Sequence, residues 1–120
     1  MSEGTKKSLE MVSVVVPITI PDVDLQEMVD GYSTPLRNAG YPFEIVLVLD
    51  GVGADLAVQA EALGADYPIK TVVLHGDGLG ESVALVAGVD NAAADLIINA
   101  PQYLQTEPDD MLKVLKTLES

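Results

Sequence analysis

At residues 43–51 the chain reads FEIVLVLDG, and this stretch decides the fold class. An almost continuous apolar run from Phe43 to Leu49 ends at the turn-forming pair Asp50 and Gly51. A strand that is apolar on both faces is typical of a parallel sheet covered by helices on both sides, whereas a half-solvated strand alternates. The sequence therefore predicts an α/β domain built around this strand.

Three further strands and four helices are predicted around it. The strands are residues 12–18, 70–74 and 95–98, and the helices begin near Asp24 and then span 55–63, 81–93 and about 109–118. Asp24 is predicted to cap the first helix, and Pro35 to break or kink it. Right-handed crossovers then give an α/β, Rossmann-like, three-layer α/β/α domain with a mainly parallel four-stranded sheet. We assign residues 11–120 to this single domain and expect residues 1–10 to form a flexible N-terminal segment.

Charge and composition exclude several classes of partner. The 120 residues include 19 acidic and 6 basic ones, for a net charge of −13, so a nucleic acid or an anionic lipid surface would be repelled. The chain has no cysteine, which excludes disulfides and thiolate zinc sites. The apolar run from Val12 to Ile20 is far short of a membrane span. We therefore expect no membrane insertion and a cytoplasmic location.

In a parallel α/β sheet, ligands bind beyond the carboxyl ends of the strands, here residues 17–22, 50–55, 75–80 and 99–105. For Asp50, recognition of a base and a plain loop-capping role both stay open. The glycine-rich residues 75–80 favour a tight turn over a phosphate cradle, because Asp77 and Glu81 bring negative charge. We predict no metal site.

Four segments in this order resemble family 2 glycosyltransferases with the GT-A fold. They are Val12–Ile18, Phe43–Gly51, Gly80–Gly88 and Leu104–Pro108. The resemblance covers nearly the whole chain but only the first half of that family's catalytic domain, so it implies a truncated GT-A-like fold. In that family this half binds the nucleotide of a sugar donor. By resemblance, the nucleotide-binding positions are Pro17, Thr19, Asp50, Gly51 and Gly80.

The chain departs from the family pattern where ligands are held. Thr19 stands where the family usually has an aromatic residue, and Leu49 replaces one member of an acidic pair. Pro101 and Tyr103 occupy the two aspartate positions of the Asp-x-Asp motif, which in the family holds Mg²⁺ or Mn²⁺. Neither can replace a carboxylate on a hard cation, so we expect no metal cofactor. The sequence also ends at Ser120, before the acceptor-binding half.

Together these features predict a glycosyltransferase-like pseudoenzyme that works as an interaction or regulatory module and has no catalytic residue. Two alternatives stay open: a metal-independent binder of a nucleotide or nucleotide sugar, and the donor-binding subunit of a glycosyltransferase completed by another chain. We also expect a homodimer through the flank of the fourth strand, residues 95–98, because the resemblance places it at a sheet edge with unpaired backbone groups. A different protein partner is the alternative.

Overall fold

The computed structural model describes residues 11–74, 79–94 and 96–100, which form one parallel sheet with helices on both faces. In chain order the elements are β1 (Val12–Ile18), α1 (Leu25–Ala39), β2 (Phe43–Asp50), α2 (Ala54–Leu63), β3 (Ile69–Leu74), α3 (Glu81–Asn91) and β4 (Leu96–Asn99). The strand order is β3-β2-β1-β4, and all three neighbouring pairs are parallel. The predicted Rossmann-like α/β fold is confirmed. The predicted segment 1–10 and helix 109–118 lie outside the described residues.

Alternate residues of the two central strands enter two separate cores. Val14 and Ile45 belong to a large core that also contains buried residues of α1 and α2. Val15 and Val46 belong to a smaller core with Ala84 of α3. This alternation explains why both strands are apolar throughout: each of their faces is covered by helices.

Helix α1 begins where the sequence predicts but passes through its proline. Asp24 is the N-cap, and its Oδ1 accepts the backbone N–H of Glu27 at 3.0 Å. Of the two expected effects of Pro35, a break does not occur, since the helix continues to Ala39, and a kink stays a prediction. Pro35 lies in the second half of α1, where it removes the hydrogen bond to the carbonyl of Gly31 and its ring crowds that carbonyl. Burial of the surrounding turn in the core offsets that loss.

Helix α3 packs very close to the sheet. A methyl group built on Gly88 would overlap the side chain of Val15 and lie 2.9 Å from Cγ2 of Val48. Glycine is therefore required for this close approach. The helix ends at Asn91, two residues before the predicted Ala93, because the following backbone turns towards polar groups at the start of β1 and β2.

Strand β4 lies at an edge of the described sheet, as the resemblance implied. It pairs with β1 only, from Val12↔Leu96 to Val15↔Asn99. Among the described residues, no helix has the length and apolar character needed to cross a lipid bilayer.

Candidate functional site

The carboxyl end of β2 is fixed to the start of α3 by Asp50. This side chain is only 2% exposed. Its Oδ1 accepts the backbone N–H of Leu79 at 2.7 Å, and its Oδ2 accepts the backbone N–H of Gly80 at 2.8 Å. Hydrogen bonds to an ionised carboxylate are stronger than neutral ones. Asp50 therefore holds the residues that lead into α3 against the central strand.

Two glycines make this arrangement sterically accessible. Gly51 follows Asp50 with φ 71°, and Gly80 precedes α3 with φ 103°. Both values lie in the region that residues with a Cβ rarely adopt. The structure thus brings together Asp50, Gly51 and Gly80, three of the positions named from the resemblance, in a loop-fixing role. A contact between them and a nucleotide remains a prediction.

The remaining predicted positions lie at the end of β1 or outside the described residues. Pro17 is buried beside Val48, and Thr19 is exposed just past the strand. The carbonyl of Val15 accepts the backbone N–H of Ala100 and so points towards β4. Backbone groups of alternate residues in a strand point the same way, so the ring nitrogen of Pro17 also faces this side, beyond the last paired residue of β4. Proline has no N–H, so it donates no hydrogen bond on that side of the strand. Pro101 and Tyr103 are not among the described residues.

A depression of about 450 Å³ lies at the carboxyl ends of β2 and β3, beside the start of α2. Its side chains are apolar, and glycine backbone supplies part of its wall. The lining residues are Leu49, Gly51, Val52, Gly53, Ala54, Ala57, Val73 and Leu74. Such a surface fits an uncharged ring or an aliphatic group better than a phosphate.

The positive charges of the described residues lie at the opposite ends of the strands, the amino-terminal ends. Arg37 and Lys70 are the basic residues in the described part of the chain. Nη2 of Arg37 donates to the carbonyl of Asp66 at 2.9 Å, and its guanidinium stacks over the ring of Tyr67. Nζ of Lys70 donates to the carbonyl of Asn91, at the end of α3, at 2.7 Å. Both cations therefore lie near the amino-terminal ends of the strands, far from the carboxyl edge where a phosphate would bind.

A buried polar network at this amino-terminal edge was not predicted from the sequence. Oε2 of Glu44 accepts the hydroxyl of Ser13 and the backbone N–H of Ala93, both at 2.6 Å. Oγ of Ser13 in turn accepts the backbone N–H of Ala94 at 3.1 Å, and Nζ of Lys70 lies 3.7 Å from Oε1 of Glu44. The signal was present, because Ser13 and Glu44 are polar residues in otherwise apolar strands. The network secures the α3–β4 connection.

The residues available do not fit the divalent metal that the family resemblance implies. Within residues 11–74, 79–94 and 96–100, no three His, Cys, Asp or Glu side chains are grouped so that they could hold an ion. The motif positions contribute proline and tyrosine, Pro101 and Tyr103, which supply no carboxylate for Mg²⁺ or Mn²⁺.

The sheet order, the helices on both faces and the loops at the carboxyl edge define a Rossmann-like α/β domain. Sequence similarity to curated proteins narrows this class of domain further. The chain is similar to undecaprenyl-phosphate 4-deoxy-4-formamido-L-arabinose transferases from Pseudomonas fluorescens (29% identity over 113 residues), Pseudomonas paraeruginosa (31% over 111) and Yersinia enterocolitica (28% over 121). This similarity supports the family 2 glycosyltransferase-like domain that the sequence resemblance predicted.

The similarity extends over most of this chain but a minor part of each relative. The alignments cover 92%, 90% and 99% of the chain, and 33%, 32% and 36% of the respective relatives. The chain thus spans about a third of the length of the curated relatives it matches. No family model matches it.

Proposed function

We propose that this glycosyltransferase-like domain does not catalyse sugar transfer and instead acts by binding a partner, as an interaction or regulatory module. The observation that carries the proposal is the use of Asp50. Its carboxylate is 2% exposed, and each oxygen accepts a backbone N–H, from Leu79 or Gly80. Each oxygen keeps a second lone pair, but at 2% exposure a base could reach Asp50 only if Leu79 and Gly80 moved away. Breaking their bonds to Asp50 costs about 1–3 kcal/mol for each buried group left unpaired.

The charge distribution supports the same proposal. A nucleotide sugar brings a diphosphate, which a transferase stabilises with cations. Here the net charge is −13, and the basic residues of the described part, Arg37 and Lys70, are engaged at the other edge of the sheet. The carboxylates of the metal motif are replaced at Pro101 and Tyr103. The long-range field of the acidic chain therefore opposes binding of a diphosphate, and so does the replacement of the metal-binding carboxylates at Pro101 and Tyr103.

The test is an assay of the purified chain with a panel of nucleotide sugars, with Mg²⁺, with Mn²⁺ and with EDTA. We expect no release of nucleoside diphosphate above that of buffer, while an active metal-dependent glycosyltransferase assayed in parallel reports turnover. Circular dichroism of the same sample establishes that the chain is folded. Metal-dependent release that scales with the concentration of the chain would refute the proposal.

The depression at the ends of β2 and β3 favours one second candidate, a metal-independent binder of a nucleotide or nucleotide sugar. Its volume of about 450 Å³ lies in the range of small-molecule sites. This candidate includes the case in which another chain completes a transferase. The relatives are named for 4-deoxy-4-formamido-L-arabinose, so nucleotide derivatives of that sugar belong in the screen.

A binding measurement separates the two candidates. Val73 lines the depression and is 48% exposed, so Val73→Glu should abolish binding by bringing a negative charge into the site. Val58→Glu, at a 67% exposed position of α2 outside the lining, is the matched control. Calorimetric binding that is lost in Val73→Glu and kept in Val58→Glu would favour the small-ligand candidate over the interaction module.

A further inference from the structure

Helix α3 turns an apolar face away from the rest of the described domain. Ala84 is fully buried, and Gly88 lies against Val15 and Val48 of the sheet. Residues two positions from both Ala84 and Gly88 point to the opposite side of an α-helix. Val86 is that residue, and it is 60% exposed.

Val86 is part of a continuous line of exposed apolar side chains, which we call the α3 stripe. Its members are Leu79 (49% exposed), Val83 (46%), Val86 (60%) and Val89 (40%). Val83, Val86 and Val89 follow at three-residue spacing on one side of the helix, over about 9 Å at 1.5 Å per residue, and Leu79 lies just before its first turn. No member carries a charge, so each side chain exposes only apolar surface to water.

The first helix shows how the same chain builds a surface that faces water. Exposed positions of α1 are polar almost throughout: Gln26, Glu27, Asp30, Thr34, Arg37 and Asn38. The α3 stripe departs from this pattern with three valines in a single helix of 11 residues. Exposed apolar surface that is continuous, and not scattered, is typical of protein interaction sites.

A second copy of the chain is a poor occupant for this surface. A stable dimer interface buries about 1,200–2,000 Å² in total, which is more than four half-exposed side chains from each copy can supply, whereas transient docking of a single helix can bury less. Two chains that each carry a charge of −13 would also repel one another. The dimer predicted from the sequence would therefore need a larger surface than the α3 stripe.

We propose that the α3 stripe docks an amphipathic helix of a protein partner, with basic residues beside its apolar face. The apolar face of that helix would cover Val83, Val86 and Val89, in the manner of a helix laid against a hydrophobic surface. The basic residues follow from charge complementarity, because the whole chain is strongly acidic and exposed Asp90 lies beside the stripe. The inference rests on the proposed interaction role, but its failure would leave the assays of nucleotide sugars unaffected.

The test uses the full chain and two synthetic helical peptides, one with a leucine face flanked by lysines and one with glutamates in place of the lysines. Binding is followed by fluorescence anisotropy at about 0.15 M salt, where long-range attraction is screened. The interface is mapped from amide chemical shifts. We expect the lysine peptide to bind, to shift α3 amides and to bind Val86→Asp about tenfold or more weakly. Val58→Asp adds the same charge on α2 and should change the affinity by less than about twofold.

Each other outcome overturns the proposal. Equal weakening by Val86→Asp and Val58→Asp would mean that charge alone determines binding. Equal affinity for the glutamate peptide would remove the requirement for basic residues. Absence of binding would mean that the stripe does not dock a basic amphipathic helix, and a concentration-dependent dimer lost in Val86→Asp would make a second copy the occupant. If Val86→Asp lowers the melting temperature, Val86→Thr replaces it, because threonine keeps the branched shape but has a hydroxyl in place of one methyl group.

Discussion

Oδ2 of Asp50 accepts the backbone N–H of Gly80 across 2.8 Å and 30 residues of sequence. The bond joins the end of a central strand to the start of the helix on the opposite face of the sheet from α1 and α2. Because the other oxygen accepts from Leu79, both oxygens of a buried carboxylate serve the fold. A position that the family resemblance connects with ligand binding thus has a structural role of its own.

Replacing this carboxylate by an amide should destabilise the protein. In Asp50→Asn one acceptor becomes an N–H₂ donor that faces the N–H of Leu79 or Gly80, so one backbone donor is left unpaired. We expect the free energy of unfolding to fall by about 1–3 kcal/mol, measured by urea titration. Asp66→Asn, at an exposed position, is the control and should stay within about 0.5 kcal/mol of wild type. Equal stabilities of the two variants would contradict a structural role for Asp50.

The polar network at the other edge predicts a local effect. Glu44→Gln keeps the shape but weakens the acceptor for the N–H of Ala93, and Ser13→Ala removes the acceptor for the N–H of Ala94. We expect each variant to raise the native-state hydrogen-exchange rate of its own amide by about tenfold, equivalent to about 1.4 kcal/mol. Exposed Glu61→Gln is the control for Glu44→Gln. Unchanged exchange at Ala93 and Ala94 would show that the network does not hold the α3–β4 connection.

The elements that the sequence predicts best are those with a local cause. The apolar runs at Val12–Ile18 and Phe43–Asp50 predict buried parallel strands, and Asp24 three residues before Glu27 predicts a helix start. These signals lie within a few residues of the structure they specify. They give the fold class and the carboxyl edge where a ligand would bind.

The parts that could not be predicted depend on partners distant in sequence. Glu44 bonds to Ala93 across 49 residues, and Ala94 bonds to Ser13 across 81, so the early end of α3 has no local signal. The alternatives for Asp50 stay open at the sequence level for the same reason. Residues 83–89 are uniformly apolar, a pattern typical of a helix buried on more than one side, whereas the structure leaves Val83, Val86 and Val89 exposed.

Tyr32 predicts a loss of stability in alkaline solution. Burial raises the pKa of this phenol, which is 5% exposed, from 10.0 to about 12. Between these values the unfolded chain has lost the proton while the folded chain keeps it, so stability is complete below pH 10 and falls as the pH rises towards 12. The loss attributable to Tyr32 should approach about 2–3 kcal/mol.

Urea unfolding at pH 9 and at pH 11.5 measures this loss, and Tyr32→Phe is the comparison because it cannot ionise. Tyr67, whose pKa is raised chiefly by its hydrogen bond to Asp30, contributes in the same direction in both proteins. The difference between wild type and Tyr32→Phe therefore isolates Tyr32. The same alkaline loss in both proteins would show that Tyr32 is not the cause.

Gly88 predicts a steric effect that can be located at a single contact. Gly88→Ala should gain about 1 kcal/mol of helix propensity but lose about 1–3 kcal/mol to overpacking against Val15 and Val48, for a net loss of stability. Truncating the obstructing side chain should relieve the second effect. We therefore expect Val15→Ala and Gly88→Ala to be less destabilising together than the sum of the two single changes, by about 1 kcal/mol or more.

Val14→Ala is the matched control, because Val14 is equally buried but belongs to the core on the other face of the sheet. Its effect should add to that of Gly88→Ala within about 0.5 kcal/mol. Urea titrations of these single and double variants complete both cycles, and additivity in the Val15 cycle would mean that α3 moves away from the sheet to accommodate the methyl group.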